Sequence, residues 1–155
     1  MPSHSYLAYR RNARAAAARQ VVKESKELEK YQKAQEDFAY FCEYVADKPP
    51  AKHHLEWHRH FITNEDSSCL LKIAGPNVDL LAPRGSAKST ILGLLTAWAI
   101  GIHTTAKKPL QILYLSYTVD IARSKSATIK RIIESKKYQQ VFPKVKLLTN
   151  VTTNE

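Results

Sequence analysis

Residues 78–95 read VDLLAPRGSAKSTILGLL, and they decide the fold that the sequence predicts. The apolar run at 78–82 is typical of a buried strand, and 89–103 is apolar almost all round, as expected of a helix packed against a sheet. A second apolar run at 110–116 predicts another buried strand, and 119–137 predicts an amphipathic helix. Because strand, helix, strand and helix in this order give parallel strands with right-handed crossovers, the sequence predicts an α/β fold with a parallel sheet.

The loop after the first predicted strand nearly satisfies the Walker A pattern GxxxxGK[ST], with Ala82 and Ala87 in place of two glycines. In such a loop, backbone N–H groups enclose a phosphate at the start of a helix, and Gly85 supplies the freedom that the bend requires. Lys88 would reach the β- and γ-phosphates, and the Ser89 hydroxyl would bind Mg²⁺. The alternative is a polar turn whose lysine faces solvent. The predicted nucleotide-binding residues of this loop are Pro83, Arg84, Gly85, Ser86, Ala87, Lys88, Ser89 and Thr90.

Two basic side chains of the loop, Lys88 and Arg84, are the predicted catalytic residues. Positive charge beside a transferring phosphoryl group stabilises the charge that develops on its oxygens. The Arg84 guanidinium in particular could pair with a γ-phosphate or respond to its loss.

Two amphipathic helices are predicted upstream of the loop. Apolar residues at 38, 41, 42 and 45 follow the spacing of one buried helix face, and 54–62 forms a second such stretch. His54 and His58 would share a helix face, but no third ligand completes a metal site. The segment 69–74 fits either a short strand or a turn of helix.

Three segments resemble the N-terminal ATPase part of the phage terminase large subunit, the motor that packages DNA into procapsids. The loop APRGSAKST at 82–90 matches that family's variant Walker A, and LQILYLSYTVDIARSKSATIKRIIES at 110–135, followed by KYQQVFP, resembles its next strand and helix. HHLEWH, from residue 53, is similar to the family segment that cradles adenine, which implies that Trp57 or His58 lies beside the base. The resemblance covers 38–143, the opening third of such a protein.

The resemblance implies ATP and Mg²⁺ as cofactors and the cytoplasm of a host bacterium as the location. It also implies double-stranded DNA, a small terminase subunit and a portal as partners, and a homo-oligomer at full length. The expected fold is the N-terminal, incomplete part of a P-loop NTPase-type parallel sheet at 37–155, preceded by a basic helix or arm at 1–36. No Walker B strand or nuclease motif follows, so we expect a fragment or a truncated prophage product that binds ATP and whose hydrolysis is left open.

Charge points in the same direction as the resemblance. The chain carries 24 Lys and Arg against 14 Asp and Glu, a formal net charge of +10. Such an excess favours an acidic partner, and nucleic acid is the commonest one. Ten basic and two acidic residues lie between 107 and 146, which is either a solvated face or a surface for DNA phosphates.

Two other functions remain open at this point. A helicase-type P-loop ATPase fragment would share the loop and the adenine segment. A truncated product that binds only nucleic acid or partners would need neither. Two cysteines without a CxxC pair, and no apolar stretch long enough to cross a membrane, predict a chain that works in a reducing compartment away from membranes.

Overall fold

Six helices and one pair of two-residue strands make up the regular structure of residues 4–63, 72–73 and 79–148, which are the residues that the computed structural model describes. The two strands pair antiparallel, with Ile62 opposite Ile73 and Thr63 opposite Lys72. In chain order the elements are α1 (His4–Glu36), α2 (Phe38–Ala46), α3 (Lys52–Phe61), β1 (Ile62–Thr63), β2 (Lys72–Ile73), α4 (Lys88–Thr105), α5 (Val119–Glu134) and α6 (Lys136–Val141).

Polar side chains mark where several helices begin. The Asp37 carboxylate accepts hydrogen bonds from the N–H groups of Ala39 and Tyr40, which sets the start of α2. Thr118 caps α5 in the same way. Ser135 adopts an extended backbone and caps α6, so the helix predicted at 119–137 is divided in two. The predicted helices at 38–45 and 89–103 are confirmed by α2 and α4.

The core lies where α2, α4 and α6 meet the end of α1. Tyr138, Phe41 and Phe142 are fully buried and contact one another through tilted or edge-on rings. Gly101 permits the close approach of α4 to Phe142, the residue that follows α6, because a Cβ there would stand 2.4 Å from the Phe142 ring. Burial, with a smaller effect of Asp37, raises the pKa of the Cys42 thiol to about 12, so this side chain packs as an apolar group.

The predicted parallel sheet is wrong for the described residues. Residues 79–82 and 110–116 have no regular secondary structure there, and Val78 lies outside the described part. Leu81, Leu113 and Leu115 are 95%, 82% and 80% exposed, so neither run is a buried strand. The P-loop NTPase-type sheet is therefore not the architecture of this part of the chain, which is helical.

The physical reason for this difference is the surface that covers α4. A helix that is apolar all round must be buried, but periodicity does not say whether helices or a sheet bury it. Here α4 packs against α5 on one side and against α1, α2 and α3 elsewhere. Without neighbouring strands, a lone apolar run has no partners for its backbone N–H and C=O groups and does not form a stable strand.

Among the side chains of α1 that the structure describes, those that join the core lie at the end of the helix. Residues 17–30 are exposed, whereas Ala34 is buried and Gln35 donates a hydrogen bond to the Val141 carbonyl of α6. The 37–155 part of the predicted division is described at 37–63, 72–73 and 79–148. No helix in the described ranges combines the length and the apolar character needed to cross a bilayer.

Candidate phosphate-binding loop

The loop before α4 is a tight turn with two residues in the left-handed region. Gly85 has φ 86° and Ala87 has φ 55°. Between them, Ser86 donates to the Pro83 carbonyl twice, from its N–H at 3.4 Å and from its Oγ at 2.8 Å. The left-handed conformation costs an alanine about 1–2 kcal/mol, and strained backbone of this kind clusters at functional sites.

The first turn of α4 leaves backbone donors without acceptors. The Ala87 carbonyl accepts from the N–H groups of Thr90 and Ile91, and no side chain caps the helix at Ala87. The N–H groups of Ala87, Lys88 and Ser89 have no acceptor among the described residues. Free donors at the positive end of a helix dipole are the geometry that binds an anion, and a phosphate fits it.

The two basic side chains of the loop differ in their contacts. Lys88 is half-buried and folds back so that its Nζ donates to the Ala82 carbonyl at 3.0 Å. Arg84 is exposed and forms no ion pair within the described part of the chain. Ser89 and Thr90 are also exposed, beside a cavity of about 270 Å³ that extends between α4 and α5. The loop therefore presents one cation, Arg84, and two hydroxyl groups to solvent, while the Lys88 ammonium is bonded back to the loop.

His54 of α3 holds this loop from behind, and sequence reasoning did not assign it there. Its Nδ1 accepts from the Ala51 N–H at 3.1 Å, so in the neutral ring Nε2 carries the proton and donates to the Ser86 carbonyl at 2.9 Å. The side chain is 8% exposed. His54 is the third residue of α3 and bonds back to the residue before the helix, the place of Glu or Gln in a capping box. This helix-start pattern is the one sequence signal for part of its role.

The side chains of the two residues predicted to lie beside adenine have different neighbours. Trp57 is half-buried, with its ring 5.2 Å from the His54 ring and 4.9 Å from that of His53. His58 instead stacks on Phe38, with ring centroids 4.7 Å apart and planes 6° apart. Trp57 thus lies next to His54, the residue through which α3 contacts the loop. One face of the His58 ring is instead covered by Phe38. Base binding by either residue stays a prediction.

The environment of His58 predicts how stability depends on pH. Burial lowers its pKa below the ordinary value of 6.5, Arg59 lowers it further, and Asp37 opposes both. Its Nε2 is buried and has no partner in the described part of the chain. Because the unfolded chain binds the proton more readily, this contribution to stability is present above pH 6.5 and is lost as the pH falls through the lowered pKa.

Urea unfolding at several pH values between 5 and 8 tests this expectation. Wild type should lose stability on acidification more steeply than His58→Phe, which retains the ring stack and cannot titrate. His60→Phe changes an exposed histidine of the same helix and should keep the wild-type slope. Equal slopes for wild type and His58→Phe would contradict the assignment.

Metal binding through side chains alone finds no support in the described ranges, which hold no group of three or more His, Cys, Asp or Glu residues placed to bind an ion. A Mg²⁺ ion that enters with a nucleotide has a different requirement, since it takes most of its ligands from phosphate and water. The exposed Ser89 hydroxyl fits that role.

Comparison with known proteins leaves these residues as the basis for any assignment. No protein-family model, curated protein sequence or solved structure matches this chain.

Proposed function

We propose that this chain binds ATP with Mg²⁺ through residues 83–90, as the ATP-binding part of a terminase-type DNA-packaging protein in the cytoplasm of a host bacterium. The observation that carries the proposal is the loop itself, in which left-handed Gly85 and Ala87 precede a helix start with three N–H groups that have no acceptor among the described residues. The proposal rests on this local geometry and on the sequence resemblance. It does not require the parallel sheet, which the described part of the chain lacks.

Each loop residue has a distinct task in this proposal. The N–H groups of Ala87, Lys88 and Ser89 hold one phosphate. Lys88 exchanges its bond to the Ala82 carbonyl, a neutral acceptor, for the β- and γ-phosphates, whose negative charge attracts the ammonium more strongly. Arg84 adds positive charge near the γ-phosphate, and Ser89 Oγ would supply one oxygen ligand to Mg²⁺. The proposed step is binding.

Lys88→Ala is the direct test. Removing a hydrogen bond to a charged group costs about 1.5–3 kcal/mol, so we expect affinity for a fluorescent ATP analogue to fall about ten- to hundredfold. Titration with and without Mg²⁺ measures this. Lys108→Ala, an exposed lysine beyond the opposite end of α4, is the matched control and should bind as wild type does. Equal binding by Lys88→Ala and wild type would refute the loop assignment.

A nucleic-acid-binding product is the second candidate, favoured by the basic surface of α5, α6 and the residues after them. The basic residues there are Arg123, Lys125, Lys130, Arg131, Lys136, Lys137, Lys144 and Lys146. Of these, Lys130 pairs with Glu134 and Lys137 with Asp47. Double-stranded DNA is the proposed partner, together with the small subunit, the portal and further copies of the chain that the resemblance implies. Salt-sensitive DNA binding that Lys88→Ala retains, without any effect of ATP on either protein, would favour this candidate.

A further inference from the structure

The contact between α3 and the loop joins residues far apart in sequence. His54 and Ser86 are separated by 32 positions, and the bond from His54 Nε2 to the Ser86 carbonyl is 2.9 Å long. We propose that His54 is a positioning residue for the phosphate-binding loop, and that this bond orients the N–H group that follows it. The inference rests on the proposed function, since it assigns a task at the same site.

Peptide geometry carries the argument from His54 to the phosphate. The Ser86–Ala87 peptide is trans, as are the others described, so its C=O and N–H point in opposite directions. Because His54 holds the carbonyl oxygen on the α3 side, the Ala87 N–H faces the opposite side of the loop. That N–H is one of the three donors without an acceptor in the described residues. Fixing one end of the peptide therefore aims the other end at an incoming anion.

The ring of His54 is itself held in place. Both of its nitrogens are bonded, Nδ1 to the Ala51 N–H and Nε2 to the Ser86 carbonyl, and the residue is only 8% exposed. Rotation of the ring would break both bonds and leave the Ser86 carbonyl without this donor. Preorganised donors lose less entropy on binding, so the held loop binds phosphate more tightly than a mobile one.

A different role for His54 would be to cap α3 alone. Two amide variants distinguish the roles, because their side chains differ in length and so reach different partners. His54→Asn places its amide near the position of Nδ1, where it caps the Ala51 N–H but does not reach Ser86. His54→Gln extends to the position of Nε2, where its amide donates to the Ser86 carbonyl. If His54 only caps α3, His54→Asn should retain more of the wild-type phosphate affinity than His54→Gln. If His54 positions the loop, His54→Gln should retain more of it than His54→Asn.

The test measures binding of a fluorescent ATP analogue to the 155-residue chain, and its displacement by inorganic tripolyphosphate. A net hydrogen bond contributes about 0.5–1.5 kcal/mol, so His54→Asn should weaken both ligands by about two- to tenfold and by the same factor. His54→Gln should remain within about twofold of wild type. His60→Ala, at an exposed histidine of α3, is the matched control, and thermal melts show that each variant is folded.

Three outcomes would overturn the inference. Wild-type affinity in His54→Asn, with Lys88→Ala impaired, removes the role of His54 and leaves the loop assignment standing. A loss for the ATP analogue without a loss for tripolyphosphate places the effect of His54 at the base, through Trp57. Folded wild-type protein that binds neither ligand refutes the proposed function and this inference together.

Discussion

Tyr138→Ala is expected to lower the free energy of unfolding by about 3–5 kcal/mol, the range for removing a large aromatic side chain from a core. Tyr138 is fully buried, and its ring contacts those of Phe41 and Phe142 at centroid distances of 6.1 and 5.2 Å. Its hydroxyl donates to the Ala97 carbonyl at 2.8 Å, which joins α6 to α4. A domain of this size has about 5–15 kcal/mol in total, so a substantial part of the stability is at stake.

Tyr138→Phe separates the ring from the hydroxyl. It retains the ring contacts and loses one hydrogen bond, so we expect a cost of about 1 kcal/mol. Urea unfolding followed by circular dichroism gives both values. A loss below about 1 kcal/mol for Tyr138→Ala would show that α6 is not part of the cooperative core.

Trp98→Ala is expected to cost a similar amount, about 3–5 kcal/mol, and to loosen the attachment of α1 as well. Trp98 is buried, with its ring 5.4 Å from that of Phe38 and 5.6 Å from that of His58. Its Nε1 donates to the Ala34 carbonyl at 3.0 Å, so one side chain of α4 holds α2, α3 and the end of α1. Helical signal should therefore fall before the main unfolding transition.

The matched variant is Trp98→Phe, which retains an aromatic ring and removes the bond to the Ala34 carbonyl. We expect it to retain most of the stability and to weaken the attachment of α1, which Gln35 also holds through its bond to the Val141 carbonyl. Hydrogen exchange at residues 31–36 measures that attachment. Unchanged exchange there in Trp98→Ala would show that other contacts hold α1.

Helix positions were accessible from the sequence because they follow local rules. The apolar spacing from Phe38 to Val45 predicts one buried face, and Asp37 supplies the cap that the structure shows. Local rules did not decide whether the two apolar runs at 79–82 and 110–116 form strands, and both strand predictions were wrong. An apolar run such as 110–116 predicts burial, but a strand forms only when neighbouring strands pair with it, and that information is not local.

The same distinction applies to the loop. The spacing of Gly85 and Lys88 identifies the segment, and an alanine at position 87 raises the question of strain, which the structure answers with φ 55°. The contact between His54 and Ser86 could not be predicted, because it depends on how α3 packs against a loop 32 positions later. Sequence reasoning considered His54 as half of a metal pair, whereas the structure places it against the backbone.

The exposed stretch 17–30 of α1, which precedes the core contact at Ala34, has a consequence for how the protein moves through a gel and meets a protease. A helix of 33 residues is about 50 Å long at 1.5 Å per residue, and the core contacts of its described side chains lie at 31–35, near one end. Such a rod enlarges the hydrodynamic radius far more than its mass does. Arg19, Lys23 and Lys26 stand exposed along it, so trypsin should trim the rod first and leave a smaller, rounder particle that contains the loop.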